Sequence, residues 1–160
     1  MADLTFSDSI LVALPPEQVY AMVSGVTRMG EWSPVCRACW WEDDAGPRAG
    51  AWFVGRNETP QRTWETRSQV VVADEGREFA WEVNGGWVRW GFAVASEDGG
   101  TRLTQSWHFL PRGIAGFRER FGADADAQIT ARTDAAHTGI PATLAAIKRT
   151  AEGSSTPDVR

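Results

Sequence analysis

The 160-residue sequence contains one lysine, Lys148, and carries a net charge of −5 at pH 7. Its arginines are scattered along the chain, so no basic cluster is present to contact a phosphate backbone. Because phosphate contacts dominate the affinity of proteins for nucleic acid, this composition argues against a nucleic-acid partner.

Long apolar runs are also absent. No segment approaches the ~20 apolar residues of a membrane-spanning helix, so we expect no membrane span. The N-terminal segment MADLTFSDSI has acidic residues where an export signal has basic ones, and no long apolar stretch follows it. We therefore expect a cytoplasmic protein.

Histidine and cysteine, which bind most transition metals in proteins, number two each. Cys36 and Cys39 form a lone CxxC motif, and only His108 and His137 could complete a four-ligand zinc site. If residues 37–41 form a strand, alternation places the two cysteines on opposite faces, which argues against joint chelation. We expect no metal and no cofactor, and two half-buried cysteines in preference to a redox pair.

Tryptophan, in contrast, is abundant, and most of the nine lie in short alternating runs typical of strands. Each indole has roughly 150–250 Å² of surface to bury. We interpret the rings as the lining of a cavity for an apolar molecule inside a curved sheet, with a solid aromatic core as the alternative. The tryptophans are Trp32, Trp40, Trp41, Trp52, Trp64, Trp81, Trp87, Trp90 and Trp107.

Turn signals and hydrophobic periodicity predict a series of short elements followed by one long helix. A strand at 4–13 precedes a helix that starts at Pro15-Pro16 and ends at Ser24-Gly25, and a short helix follows at 27–32. Six strands come next, at residues 37–43, 50–58, 62–73, 77–84, 87–96 and 101–110. Apolar residues at helical spacing then predict a helix over 124–152.

This order predicts an α+β fold in which a seven-stranded antiparallel sheet curves around the C-terminal helix. The length fits one domain, expected over residues 1–152, with a flexible tail at 153–160.

Five segments stand out along this order of elements, namely WSP at 32–34, GAWFVGRN at 50–57, TWETRSQV at 63–70, FAW at 79–81 and TLAAIKRTAE at 143–152. Together with the order of elements, these segments resemble the SRPBCC superfamily. That superfamily contains the START and Bet v 1 domains and the polyketide cyclase/dehydrase and lipid transport proteins. The resemblance implies a helix-grip fold with a deep pocket between sheet and long helix, usually for a hydrophobic small molecule.

Strand alternation indicates which side chains face that pocket. Glu65 and Arg67 should face water, so Trp64 and Ser68 point inward; by the same test Arg56 places Asn57 inside and Trp52 outside. Applied to all strands, this test gives the candidate ligand-binding residues Phe53, Asn57, Trp64, Ser68, Trp81, Trp90, Phe92, Gln105 and Trp107. Ile140 and Leu144, from the apolar stripe of the predicted C-terminal helix, and Trp32, from the WSP segment, complete the candidate site. An inward polar group without a partner costs ~1–3 kcal/mol, so Asn57, Ser68 and Gln105 each need a hydrogen bond from protein, water or ligand.

The segment 111–123 joins the last strand to the long helix. Phe117 and Phe121 have i,i+4 spacing, and Gly113, Gly116 and Gly122 would allow bending. We interpret this segment either as a lid over the pocket mouth or as a solvated connector anchored by two phenylalanines.

The resemblance extends to aromatic polyketide aromatase/cyclases, which implies an inward arginine, tyrosine and serine. Trp64, Ser68 and Trp90 match the family's residue types, but the arginine position falls on Val70 and the tyrosine position falls near Cys39. Two chemical groups are therefore missing, and we predict no catalytic residue. His137, beside the apolar stripe of the long helix, either reaches the cavity edge or is a surface histidine.

Three functions follow from this pattern. The favoured one is a carrier or sensor of a hydrophobic small molecule, such as a lipid or polyketide-like compound, in a monomer or weak homodimer. The second is a cyclase- or dehydratase-like enzyme that works mainly by pocket shape. The third is an interaction module with a vestigial pocket, in which Trp52 and Trp87 form the partner surface.

Overall fold

A computed structural model describes residues 4–155 as one antiparallel sheet with three α-helices. The strands are β1 (Thr5–Val12), β2 (Cys36–Trp41), β3 (Trp52–Thr59), β4 (Arg62–Asp74), β5 (Glu78–Val83), β6 (Val88–Glu97) and β7 (Gly100–Phe109). The α-helices are α1 (Pro16–Ser24), α2 (Pro111–Phe121) and α3 (Ala125–Ser155). Short 3-10 helices cover Val26–Glu31, Glu42–Asp44 and Gly122–Asp124.

The seven strands lie in the order β1-β7-β6-β5-β4-β3-β2, and every pair is antiparallel. The two edge strands, β1 and β2, are consecutive in sequence, and α1 with the 3-10 helix Val26–Glu31 connects them. With the long C-terminal helix α3, this arrangement confirms the predicted α+β helix-grip fold.

Four aromatic residues and one valine align in a row across five strands. Phe6, Trp107, Trp90, Trp81 and Val70 are successive register partners. Partners directly opposite each other in an antiparallel pair share a face, so this row lies on the inner face of the sheet. On the outer face, Arg89 pairs with Glu82 at 3.6 Å, as alternation predicts.

Helix α3 presents an apolar stripe to this sheet. Its buried residues follow helical spacing and comprise Ala125, Ile129, Ala136, Ile140, Leu144, Ile147 and Ala151. The helix continues through Gly153 to Ser155, beyond the predicted end at 152. Residues 156–160 of the predicted tail lie outside the described residues. Between residues 4 and 155, no helix combines the length and hydropathy that crossing a bilayer requires.

The segment predicted as a lid or connector forms helix α2 and packs on the rim of the sheet. Pro111 starts the helix, and Gly122, with φ of 54°, ends it. A Cβ atom on Gly116 would overlap the indole of Trp87, and Phe117 packs against the same ring at 5.8 Å. Gly113 and Gly116 therefore permit close docking of α2. Trp87, which was expected on an exposed partner surface, is half-buried, because α2 packs against its ring.

The prediction that Cys36 and Cys39 point to opposite faces is also wrong. Strand β2 contains a bulge, since Cys36 pairs with Asn57 and Ala38 pairs with the next residue of β3, Arg56. The extra residue in β2 shifts the alternation by one. Both cysteines consequently lie on the inner side, where they are buried.

Candidate ligand-binding site

Most of the predicted site residues lie on the concave face, and the deepest of them form a packed aromatic cluster. The ring of Trp81 lies 5.8 Å from that of Phe53 and 6.0 Å from that of Phe92. Ile140 and Leu144 of α3 are each 1% exposed. Trp107 is also buried, against Phe109. This part of the interior is therefore closed.

A strip of the same concave face remains partly exposed. It comprises Trp64 and Thr66 on β4, Val83 on β5, and Val88 and Trp90 on β6, and we call it the open strip. Trp90 is flanked in register by Trp81 and Trp107, both buried. Apolar side chains on the concave face therefore remain partly exposed near the β3–β4 and β5–β6 turns.

The three inward polar residues have different environments. Asn57 is 9% exposed, and its amide donates to Thr66 Oγ1 at 3.2 Å and to the Gly55 carbonyl at 3.4 Å. Ser68 is 2% exposed. Gln105 is 5% exposed, and its Oε1 accepts no hydrogen bond from any residue that the structure describes. Gln105 is therefore the inward residue with an unused acceptor.

Trp32 is buried and belongs to the same hydrophobic core as the inward residues of the sheet. It follows the 3-10 helix Val26–Glu31, and the guanidinium of Arg28 lies 5.3 Å from its ring centroid. On the outer face, Trp52 is partly exposed beneath Arg67, whose guanidinium is 3.9 Å from the ring.

Arg132 is a residue that the sequence analysis missed. It lies on the inner stripe of α3, three residues after Ile129 and four before Ala136, both buried. Its guanidinium is 5.4 Å from the Phe117 ring and donates to Gln128 Oε1 at 3.2 Å. The signal was present in the sequence, because 132 falls within the apolar period that defined the helix.

The electrostatic environment of Arg132 is unfavourable for its charge. Burial lowers the pKa of Arg132, and the positive charges of Arg62 and Arg120 lower it further. Over residues 4–155, no carboxylate pairs with any of these three arginines. Arg132 is therefore a half-buried cation without an anionic partner.

Two clefts open on the outside of the grip. One, of about 430 Å³, lies between the 3-10 helix Glu42–Asp44 and the start of β3. The other, of about 170 Å³, lies between the β1 end, the β6–β7 turn and Lys148. No predicted ligand-binding residue lines either cleft, so the open strip is the part of the predicted site that is accessible.

A sequence model of the family described as polyketide cyclase/dehydrase and lipid transport matches residues 3–152. The chain belongs to this family. Membership confirms the SRPBCC resemblance that the sequence motifs indicated. No curated protein matches the chain.

Solved structures from this fold extend over nearly the whole chain. The polyketide-cyclase-like protein Cgl2372 of Corynebacterium glutamicum is 52% identical, with a TM-score of 0.72 over 96% of this chain and 94% of its own. Protein NE0264 of Nitrosomonas europaea is 14% identical, with a TM-score of 0.67 over 96% and 97% of the two chains. The di-domain aromatase/cyclase StfQ of the steffimycin biosynthetic pathway is 16% identical, with a TM-score of 0.69 over 95% of this chain and 51% of its own.

The arginine and tyrosine that the resemblance to aromatase/cyclases implies are not found at the matching positions of this chain. Val70, at the arginine position, is 1% exposed, and Cys39 is buried near the tyrosine position. Tyr20 lies on α1 with its ring 6.4 Å from Phe79, and burial raises its pKa. His137 is exposed and stacks on Phe6 at 4.2 Å, which makes it a surface histidine. Arg132 lies on α3 and does not occupy the sheet position of that arginine.

Proposed function

We propose that this protein is a carrier or sensor that binds a hydrophobic small molecule bearing an acidic group, such as a lipid or polyketide-like acid. The observation that carries the proposal is the open strip, apolar surface inside the grip that the chain's own helices leave partly uncovered. A ligand that covers Trp64 and Trp90 gains about 25 cal/mol for each Å² of apolar surface removed from water.

The environment of Arg132 is the evidence that the ligand bears an acidic group. A half-buried cation without an anionic partner is destabilising, and a ligand carboxylate beside it would restore a charge-assisted hydrogen bond. Arg62 and Arg120 lie close enough to lower the pKa of Arg132, so the same carboxylate would also reduce their mutual repulsion.

The family supports the ligand class, because its description joins polyketide cyclases with lipid transport. No residue is assigned a catalytic role, since the inner face holds neither the tyrosine nor the sheet arginine of the cyclase pattern. The proposal retains a cytoplasmic monomer or weak homodimer with no nucleic-acid partner, in keeping with the net charge of −5.

Titration with a fluorescent fatty acid tests the binding site. We expect saturable binding at one molecule per chain, and we expect Trp90→Ala to weaken it at least about tenfold, or ~1.4 kcal/mol. Trp40→Ala is the matched control, because Trp40 is 41% exposed and lies outside the open strip. Absence of saturable binding, or equal weakening in both variants, would contradict the site.

The acidic group is tested separately by comparing the fatty acid with the alcohol of the same chain length. Arg132→Gln should weaken binding of the acid and leave that of the alcohol nearly unchanged. Arg118→Gln, on the exposed side of α2, serves as the control. If Arg132→Gln weakens the binding of both ligands equally, the arginine contributes only to packing. That result would contradict an acidic group on the ligand without contradicting an apolar binding site at the open strip.

A further inference from the structure

Two thiols that the ligand proposal does not use lie in contact on the inner side of the sheet edge. Cys36 Sγ and Cys39 Sγ are 3.2 Å apart, and the residues are 5% and 7% exposed. Met29 Sδ lies 3.9 Å from Cys39 Sγ. A CxxC pair on a regular strand could not reach this geometry, because alternation would direct the third following residue to the opposite face.

The bulge in β2 brings the thiols together, and its neighbours hold it in place. Arg37 and Ala38 together face Arg56, which returns Cys39 to the side of Cys36. Gly30 of the 3-10 helix packs against the Arg37 carbonyl so closely that a Cβ atom there would overlap it. The bulge is therefore fixed between β3 and the 3-10 helix.

Gly55, opposite Cys39, leaves room for both sulfurs. A Cβ atom at this position would lie 3.4 Å from Cys39 Sγ and 3.7 Å from Cys36 Sγ. The thiols need to approach by only about 1 Å to reach the ~2.05 Å of a disulfide bond.

The two thiols are not equivalent. A hydrogen bond from Cys39 lowers the pKa of Cys36 against the opposing effect of burial, with backbone hydrogen bonds at Ala38 and Arg56 contributing. The same pairing, together with burial, raises the pKa of Cys39. Cys36 is thus the thiol that ionises first, and Cys39 is positioned to resolve a modification on it.

We propose that Cys36 and Cys39 form a redox-active dithiol that a small peroxide converts reversibly to an intramolecular disulfide. The proposal is independent of the ligand site, and it concerns an edge strand that pairs with β3 alone. In a reducing compartment the dithiol form prevails until oxidant rises.

The reaction is a two-electron oxidation. The Cys36 thiolate attacks one peroxide oxygen, the O–O bond breaks, and hydroxide leaves with the bonding pair, which gives a sulfenic acid on Cys36. The Cys39 sulfur then attacks Cys36 Sγ, and its proton leaves with the sulfenic hydroxyl as water. The dithiol loses two electrons, and the peroxide, once its hydroxide takes up a proton, becomes two water molecules.

The test treats the reduced full-length chain with hydrogen peroxide and follows intact mass and peptide maps. We expect the loss of two hydrogen atoms, a linked Cys36–Cys39 peptide, and full recovery with dithiothreitol. Cys39→Ser should stop at a sulfenic acid that a cyclic dione traps, and Cys36→Ser should react at least about tenfold more slowly.

Several outcomes would overturn the proposal. The proposal is contradicted if both thiols remain free after peroxide treatment, or if disulfides form only between chains. It is also contradicted if Cys36→Ser reacts as fast as the native chain. Peptide mapping of the native chain decides the matter even if a cysteine variant fails to fold, because that measurement requires no substitution.

Discussion

Trp81 and Trp90 lie directly opposite each other on β5 and β6, yet Trp81 is 5% exposed whereas Trp90 remains partly exposed. The rings share the concave face and differ in what covers them. Trp81 contacts Phe53, Phe79 and Phe92, with ring centroids 5.7–6.0 Å apart. The boundary between closed core and open strip therefore runs between two neighbouring tryptophans.

Stability measurements should detect this boundary. Trp81→Ala removes a fully packed ring and should reduce the free energy of unfolding by about 3–5 kcal/mol. Trp90→Ala should cost clearly less, because part of its surface already faces water. Urea denaturation followed by circular dichroism gives both values. Equal losses would place Trp90 in the closed core and remove the open strip from the ligand site.

The sequence predicts the sheet, its inner face and α3 because each follows a regular period. Gln105 and Trp107 face inward as alternation requires, and both are buried. Irregular features escape this reasoning. The bulge at Arg37 depends on the packing of Gly30 and on the register of β3, and nothing local to CxxC indicates it. Which inner-face residues stay accessible depends on how far α2 and α3 extend over the sheet.

The docking of α2 on Trp87 predicts a large difference between two helical glycines. Gly116→Ala would force a methyl group into the Trp87 ring, and such overpacking typically costs about 1–3 kcal/mol. Gly139→Ala in α3 meets only Pro34 Cγ, at 3.7 Å, and should stabilise the helix by up to about 1 kcal/mol. Thermal unfolding of the pair measures the contrast. A harmless Gly116→Ala would mean that α2 is not firmly docked.

The unused acceptor of Gln105 predicts a substitution that stabilises the protein. Gln105→Met keeps the length of the side chain and removes a buried carbonyl that lacks a partner, so the unfolding free energy should rise by about 1 kcal/mol or more. Urea denaturation followed by circular dichroism measures the change. Loss of stability in Gln105→Met would show that Oε1 has a partner in solution.

The asymmetry of the two thiols predicts a pH profile for Cys36. Because its pKa is lowered, the thiolate should persist at lower pH than in a free cysteine, whose pKa is ~8.5. The rate of reaction with a small thiosulfonate should therefore approach its plateau at a lower pH.

Cys39→Ala removes the largest cause of the shift, so the midpoint should move to higher pH and the rate at pH 7 should fall. Cys36→Ala should react slowly at pH 7, since burial still raises the pKa of Cys39. A fall in rate at every pH, with the midpoint unchanged, would instead indicate altered access to Cys36 and would contradict the hydrogen bond as the cause of its reactivity.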